Sequence, residues 1–113
     1  MKLTGKCKED FNKWIQNEFE PNEQGITVNA SYEGDMEVYA SENFNILPQS
    51  MQYGVYVDFF DSVVIYIEDT VADYTTPKTY LAWVNADIVK SCKTRQEART
   101  AAIEKANKIY NKQ

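Results

Sequence analysis

The feature that constrains this chain most is a change of hydrophobic period along it, from a helical repeat at each end to a two-residue alternation between. Leu3, Cys7, Phe11, Trp14, Ile15 and Phe19 recur at spacings of three and four, which places one apolar stripe on a helix. Thr4 suits the N-cap of that helix, and Pro21 with Gly25 ends it, because proline disfavours helical geometry at the residue before it. At the other end Thr94-Arg95-Gln96-Glu97 has the capping-box pattern. Ala98, Ala101, Ala102, Ala106, Ile109 and Tyr110 then follow along one side, and the small alanines permit close approach to a sheet.

Between these helices the chain alternates. Ile26, Val28, Ala30 and Tyr32 share one face, and Met36, Val38 and Ala40 resume it after Glu33-Gly34-Asp35. A three-residue loop sets Tyr32 opposite Met36, Ala30 opposite Val38 and Val28 opposite Ala40, matching apolar to apolar. Residues 42–51, with Pro48, read as a connection that Phe44, Ile46 and Leu47 hold down. A second hairpin follows, with Tyr53, Val55, Val57 and Phe59 on one arm and Val63, Ile65 and Ile67 on the other, around a Phe60-Asp61-Ser62 loop. Its reverse face pairs Tyr56 with Tyr66. Residues 69–78 read as a long loop and Thr79 to Asn85 as a last strand. The expected fold class is therefore α+β, one domain over residues 1–113. Its antiparallel meander has about five strands, with the N- and C-terminal helices packed on one face.

A chain of 113 residues buries enough surface to fold without staples. Cys7 and Cys92 have no metal-ligand or redox spacing and read as small buried hydrophobes, although both fall near helix N-termini, where a thiol pKa can drop. The opening residues lack the apolar run of a secretory signal, and no stretch approaches the roughly 20 apolar residues of a membrane span, so a cytoplasmic protein with no membrane partner is expected.

The formal charge is −5, unevenly spread. Residues 21–87 carry eleven acidic side chains against Lys78 alone, while residues 88–113 carry seven basic and two acidic ones. The middle is acidic and the last helix basic, which bears on partners and not on fold.

There is no histidine, which removes the commonest general base and metal ligand. No nucleophile elbow or phosphate-cradling glycine run is present. Asp58, Asp61, Glu68, Asp69 and Asp73 are the one group of hard-oxygen donors, and Asp61 reads as a turn-stabilising residue and the others as solvated. The chain is expected to be non-enzymatic, with no cofactor and no metal.

Two surfaces remain as candidates. Tyr39, Tyr56, Phe60 and Tyr66 fall on the sheet face away from the Val/Ile stripe and suit a protein partner or self-association, because aromatic side chains bury much area at little entropic cost. Arg95, Arg99 and Lys105, with Lys108 and Lys112, form a basic row on the last helix, interrupted by Glu97 and Glu104, for which nucleic acid is the alternative partner.

Three segments carry a resemblance. They are Met1-Lys2-Leu3-Thr4-Gly5-Lys6, Leu47-Pro48-Gln49-Ser50-Met51-Gln52-Tyr53-Gly54-Val55-Tyr56-Val57-Asp58-Phe59-Phe60-Asp61-Ser62-Val63, and the ending from Thr94-Arg95-Gln96-Glu97-Ala98-Arg99 to Asn107-Lys108-Ile109-Tyr110-Asn111. Together they cover about half the chain and resemble a family of small proteins encoded by phages and prophages of anaerobic gut bacteria. That family has no established activity, so the resemblance implies a setting, the host cytoplasm, and no mechanism. Thr94 to Ala102 is also similar to the last helix of double-stranded RNA-binding domains. Those grip phosphates with Lys at the first, second and fifth places of a five-residue stretch; Arg95 and Arg99 match the first and fifth here, and Gln96 takes the second. The reading that results is an accessory protein binding a protein partner through an acidic, Tyr-bearing sheet face.

Overall fold

The computed structural model describes residues 2–19, 26–29, 35–38, 44–73 and 78–113. The first helix, α1 (Gly5–Phe19), forms on the expected stripe, with Leu3, Cys7, Phe11 and Ile15 all buried. Its start is built differently from a local cap. The Thr4 hydroxyl accepts from Asn107 Nδ2 (2.9 Å), and it is Asn111 Oδ1, from the opposite end of the chain, that accepts from the Cys7 backbone N–H (2.8 Å). Asn107 Oδ1 takes the Thr4 N–H (3.0 Å) and Asn111 Nδ2 donates to the Thr4 carbonyl (2.9 Å). Gly5 enters the helix at φ +60°, a conformation that favours glycine, and a Cβ there would stand 3.3 Å from the Asn111 amide, which would have to give slightly.

Strands β1 (Ile26–Asn29) and β2 (Asp35–Val38) pair antiparallel, as expected, but in another register. Val28 meets Met36 rather than Ala40, a slip of four residues. An even slip keeps apolar residues opposite apolar ones, so alternation alone does not choose between these registers.

The larger correction follows. A 3₁₀ turn (Phe44–Ile46) leads into α2 (Gln49–Ser62), a helix where a hairpin was expected. Tyr53, Tyr56, Phe59 and Phe60 are its buried residues, spaced three, three and one apart, which is one face of a helix. Nearly every position from 53 to 60 is apolar or aromatic, so the segment fits periods of 2 and 3.6 alike, and packing decides. The helix ends in a Schellman turn: Ile65 N–H reaches the Phe60 carbonyl (2.8 Å), Val64 N–H reaches that of Asp61 (3.1 Å), and Ile65 and Phe60 are both buried. Val64 holds the left-handed position at φ 63°, where glycine is usual and a β-branched residue is strained.

After this turn β3 (Ile67–Asp73), β4 (Thr79–Val84) and β5 (Asp87–Cys92) form an antiparallel sheet in the order β3-β4-β5. Only β4 matches an expected strand; β3 replaces the start of the expected long loop, and β5 had no counterpart. Among the described residues the strands thus form a two-stranded and a three-stranded sheet rather than one five-stranded meander. The turn between β4 and β5 is the two-residue Asn85-Ala86, both at positive φ (51° and 69°), which is type I′ geometry carried without glycine.

The last helix, α3 (Arg95–Lys112), is the expected one, with Thr94 Oγ accepting from Glu97 N–H (3.1 Å). Ala98, Ala102 and Ala106 are fully buried, as is Ala82 on β4, so the helix lies close on the sheet. The two terminal helices do not share this role: α3 covers the sheet, while α1 packs chiefly on α3 and α2. The aromatic residues form the core of that helical layer. Phe11 sits 5.0 Å from Tyr56 and 5.3 Å from Phe59, Phe44 lies 4.9 Å from Tyr56, and Phe59 is 5.8 Å from Tyr110, mostly in tilted or edge-on pairs that favour stability beyond their area.

Candidate functional site

The three-stranded sheet has two unlike faces. On the inner one, Ile67 pairs with Val84 and Asp69 with Ala82, under α3. On the outer one, Glu68, Trp83 and Ile88 form one cross-strand row, and Thr70, Leu81 and Ser91 the next. A bulge between Ala82 and Trp83 in the β4–β5 pairing lets Val89 pack toward the core while Ile88 stays opposite Trp83. Ile88 is 56% exposed, and Tyr66, just before β3, is 54% exposed. The Trp83 indole N–H donates to Thr70 Oγ1 (2.8 Å), which fixes the ring across the strands. Tyr66 is anchored by its backbone, with its N–H bonded to Asn85 Oδ1 (2.8 Å) and its carbonyl accepting from Asn85 N–H (2.7 Å). The result is a small apolar surface on the strands, with exposed Glu68 and Ser91 in its two rows. A face of this kind can bury against another surface; it carries no constellation for bond-making chemistry.

Of the residues expected at a sheet face for a protein partner, Tyr66 is exposed and Tyr39 lies outside the described residues. Tyr56 and Phe60 are corrected: they are 4% and 0% exposed, on α2 rather than on a strand, because the helix turns both into the aromatic core. Trp83, Leu81 and Ile88 were missed. Their shared face depends on β5, whose turn lacks the Asn-Gly that marks a two-residue hairpin in sequence.

The basic row is divided by the fold. Arg95 Nη1 bonds Asp69 Oδ2 (2.7 Å) and lies over the Tyr80 ring (5.2 Å). Arg99 lies over Tyr53 (4.9 Å) with its Nε 3.5 Å from Asp69 Oδ1, too poorly aligned for a hydrogen bond. Burial, and then the neighbouring Asp69, push the Tyr53 phenol well above its ordinary pKa, so it stays protonated beside that carboxylate. Lys105, Lys108 and Lys112 remain exposed.

Among the described residues the carboxylates do not gather, and the Asp73 side chain lies outside them. Asp58 and Asp61 are exposed on α2, Glu68 lies on the outer face and Asp69 belongs to the two arginines; among the described residues no group of His, Cys, Asp or Glu is placed to hold a metal ion. Cys7 and Cys92 are free and buried. Burial, with a smaller contribution from Asp10, pushes the Cys7 thiol up to about 12, the opposite of an activated nucleophile despite its place in a first helical turn. Among the described residues no helix is long and apolar enough to cross a membrane.

Comparison with known proteins adds no relative: no family model, curated protein or solved structure matches this chain.

Proposed function

We propose that the chain is a non-enzymatic binding module, a phage or prophage accessory protein in the setting its sequence resembles, whose partner is a protein that lays an amphipathic helix on the outer face of β3-β4-β5. The row of Trp83 and Ile88 beside Tyr66 is the observation that carries this reading. Three strands about 4.8 Å apart make a surface about as wide as a helix of 10–12 Å, and the inner face is already covered by a single helix, α3. Exposed Glu68, in the same row as Trp83 and Ile88, favours a partner helix with a basic flank. The alternative, nucleic acid on α3, is weakened by the engagement of Arg95 and Arg99 with Asp69, which leaves the lysines to supply the charge.

The test is affinity capture from bacterial host lysate with the wild-type chain and folded variants compared by circular dichroism. A specific protein should be retained, should be lost with Ile88→Lys or Trp83→Ala, and should survive Lys105→Glu. Retention unaffected by Ile88→Lys removes the outer face as the site. A shift of double-stranded RNA or DNA at low salt that Lys105→Glu abolishes establishes the nucleic-acid reading instead.

A further inference from the structure

Among the described residues other than glycine, three hold a positive φ: Val64 (63°), Asn85 (51°) and Ala86 (69°). All three lie at one end of the three-stranded sheet, where β3 begins and β4 turns into β5. Tyr66, two residues after Val64, ties the two turns together through its backbone bonds to Asn85. Left-handed backbone outside glycine costs stability and persists only where the surroundings enforce it. Here the Schellman bonds hold residue 64, and the pairing of Val84 with Asp87 holds residues 85 and 86. Those bonds fix the backbone, but none of them asks for a valine side chain. Asparagine takes the left-handed region readily, whereas a β-branched residue is disfavoured there, so Val64 is the sharper case. Its side chain is 65% exposed and, unlike that of Val63 beside it, does not pack on the core. The fold bears the strain of valine and gains no burial from it. A side chain with that balance acquires its burial from a second molecule.

The neighbourhood indicates what that molecule brings. Tyr66, also exposed, precedes buried Ile67 and so stands on the outer side of the sheet, in line with Glu68. Val64 and Tyr66 therefore continue the open face past the row of Trp83 and Ile88, up to the strained turn. Residues 58–68 carry Asp58, Asp61 and Glu68, all exposed, and no basic residue. The C-terminal end of α2 stops just before Val64, and its last turn has no basic side chain to offset the negative pole of the helix. Apolar contact area and negative potential thus coincide, which suits a cationic partner with an apolar side chain beside its charge. Because the backbone is already held, docking there orders little of it, and that favours affinity.

We infer that this strained corner is the anchoring end of the partner site, where an apolar side chain of the partner packs on Val64 and Tyr66 and an adjacent lysine or arginine meets the acidic surround. The inference rests on the outer-face reading and adds to it the place where the partner helix is gripped. Two amphipathic helical peptides of about five turns, one of leucine and lysine and one of leucine and glutamate in the same pattern, are the probes. NMR titration is followed at Val64, Tyr66 and Ile88. The lysine peptide should shift all three saturably, and the glutamate peptide should not. Val64→Gly should raise Tm and yet weaken binding by about fivefold or more. Val64→Asn, which suits the left-handed region without the freedom of glycine, should weaken binding alike. A valine with only a structural role does not produce that opposition between stability and binding. Binding unchanged in both Val64 variants but abolished by Ile88→Lys overturns the corner and leaves the outer face standing. Binding unchanged in all three variants removes the face as well. Equal binding of the two peptides, or no saturable shift at millimolar peptide, also overturns the corner, while capture from lysate judges the face separately.

Discussion

Residues 49–62 and residues 79–92 are both rich in aromatic and β-branched side chains, Tyr, Phe and Val in the first and Tyr, Trp, Val and Ile in the second, yet the first folds as a helix and the second as a hairpin. In 49–62 the aromatic residues all find partners when wound into a helix: Tyr56 and Phe59 against Phe11, Phe44 and Tyr110, Phe60 against Phe59, and Tyr53 under Arg99. In 79–84 the inward residues Ala82 and Val84 are small, and they fit under α3 only in an extended strand that leaves Trp83 and Leu81 on the far side. β-Propensity is shared by both segments, so what separates them is the shape each must fill.

The comparison breaks first at Phe60. It is fully buried, contacts Phe59 (5.2 Å) and closes the turn after α2, so Phe60→Ala should cost about 3–5 kcal/mol in chemical denaturation. A loss below about 1 kcal/mol would show that α2 does not depend on this packing. The opposite sign is expected at Val64, which is 65% exposed and strained at φ 63°. Val64→Gly should raise stability by about 1 kcal/mol, read as a higher denaturation midpoint at unchanged slope. In the hairpin region Ala86→Gly should stabilise by a smaller amount, about 0.5 kcal/mol, because relief of the positive φ is partly offset by the entropy of glycine.

The smallest effect concerns pH and falls in neither region. The Tyr110 hydroxyl donates to Asp10 Oδ2 (2.5 Å), and Lys6 pairs with the same oxygen (3.1 Å). Tyr110 first, and Lys6 after it, hold the Asp10 carboxyl below its ordinary range, so that contribution is present above about pH 4 and fades as pH falls through the lowered value. The bond to Asp10 pushes Tyr110 up to about 12, so its contribution is complete below pH 10 and fades as pH rises toward 12. Thermal melts across both windows should show two shallow declines, and Tyr110→Phe should remove the alkaline one and weaken the acid one, which Lys6 still supports.

Part of the site was legible and part was not. Tyr66 was placed on the reverse face of a second hairpin, opposite Tyr56; it is exposed, but just before β3 and without that hairpin or that partner. Tyr56 and Phe60 were assigned to the same face by a period-2 reading that their neighbours fitted equally well. The Asn107 and Asn111 caps on α1 carry no local mark, because asparagine within a helix acquires that role only when a partner more than 100 residues away is brought to it.

By itself the sequence determined the two terminal helices, the strand at 79–84 and the α+β class, since each rests on a periodicity or cap that local geometry alone enforces. Tertiary structure decided α2, the splitting of the strands into two sheets, the inward turn of Arg95 and Arg99, and the face left open. The reason is the same in each case: where a segment satisfies two periods equally, the free energy of burying it against its neighbours selects the conformation, and that depends on residues far away in the chain.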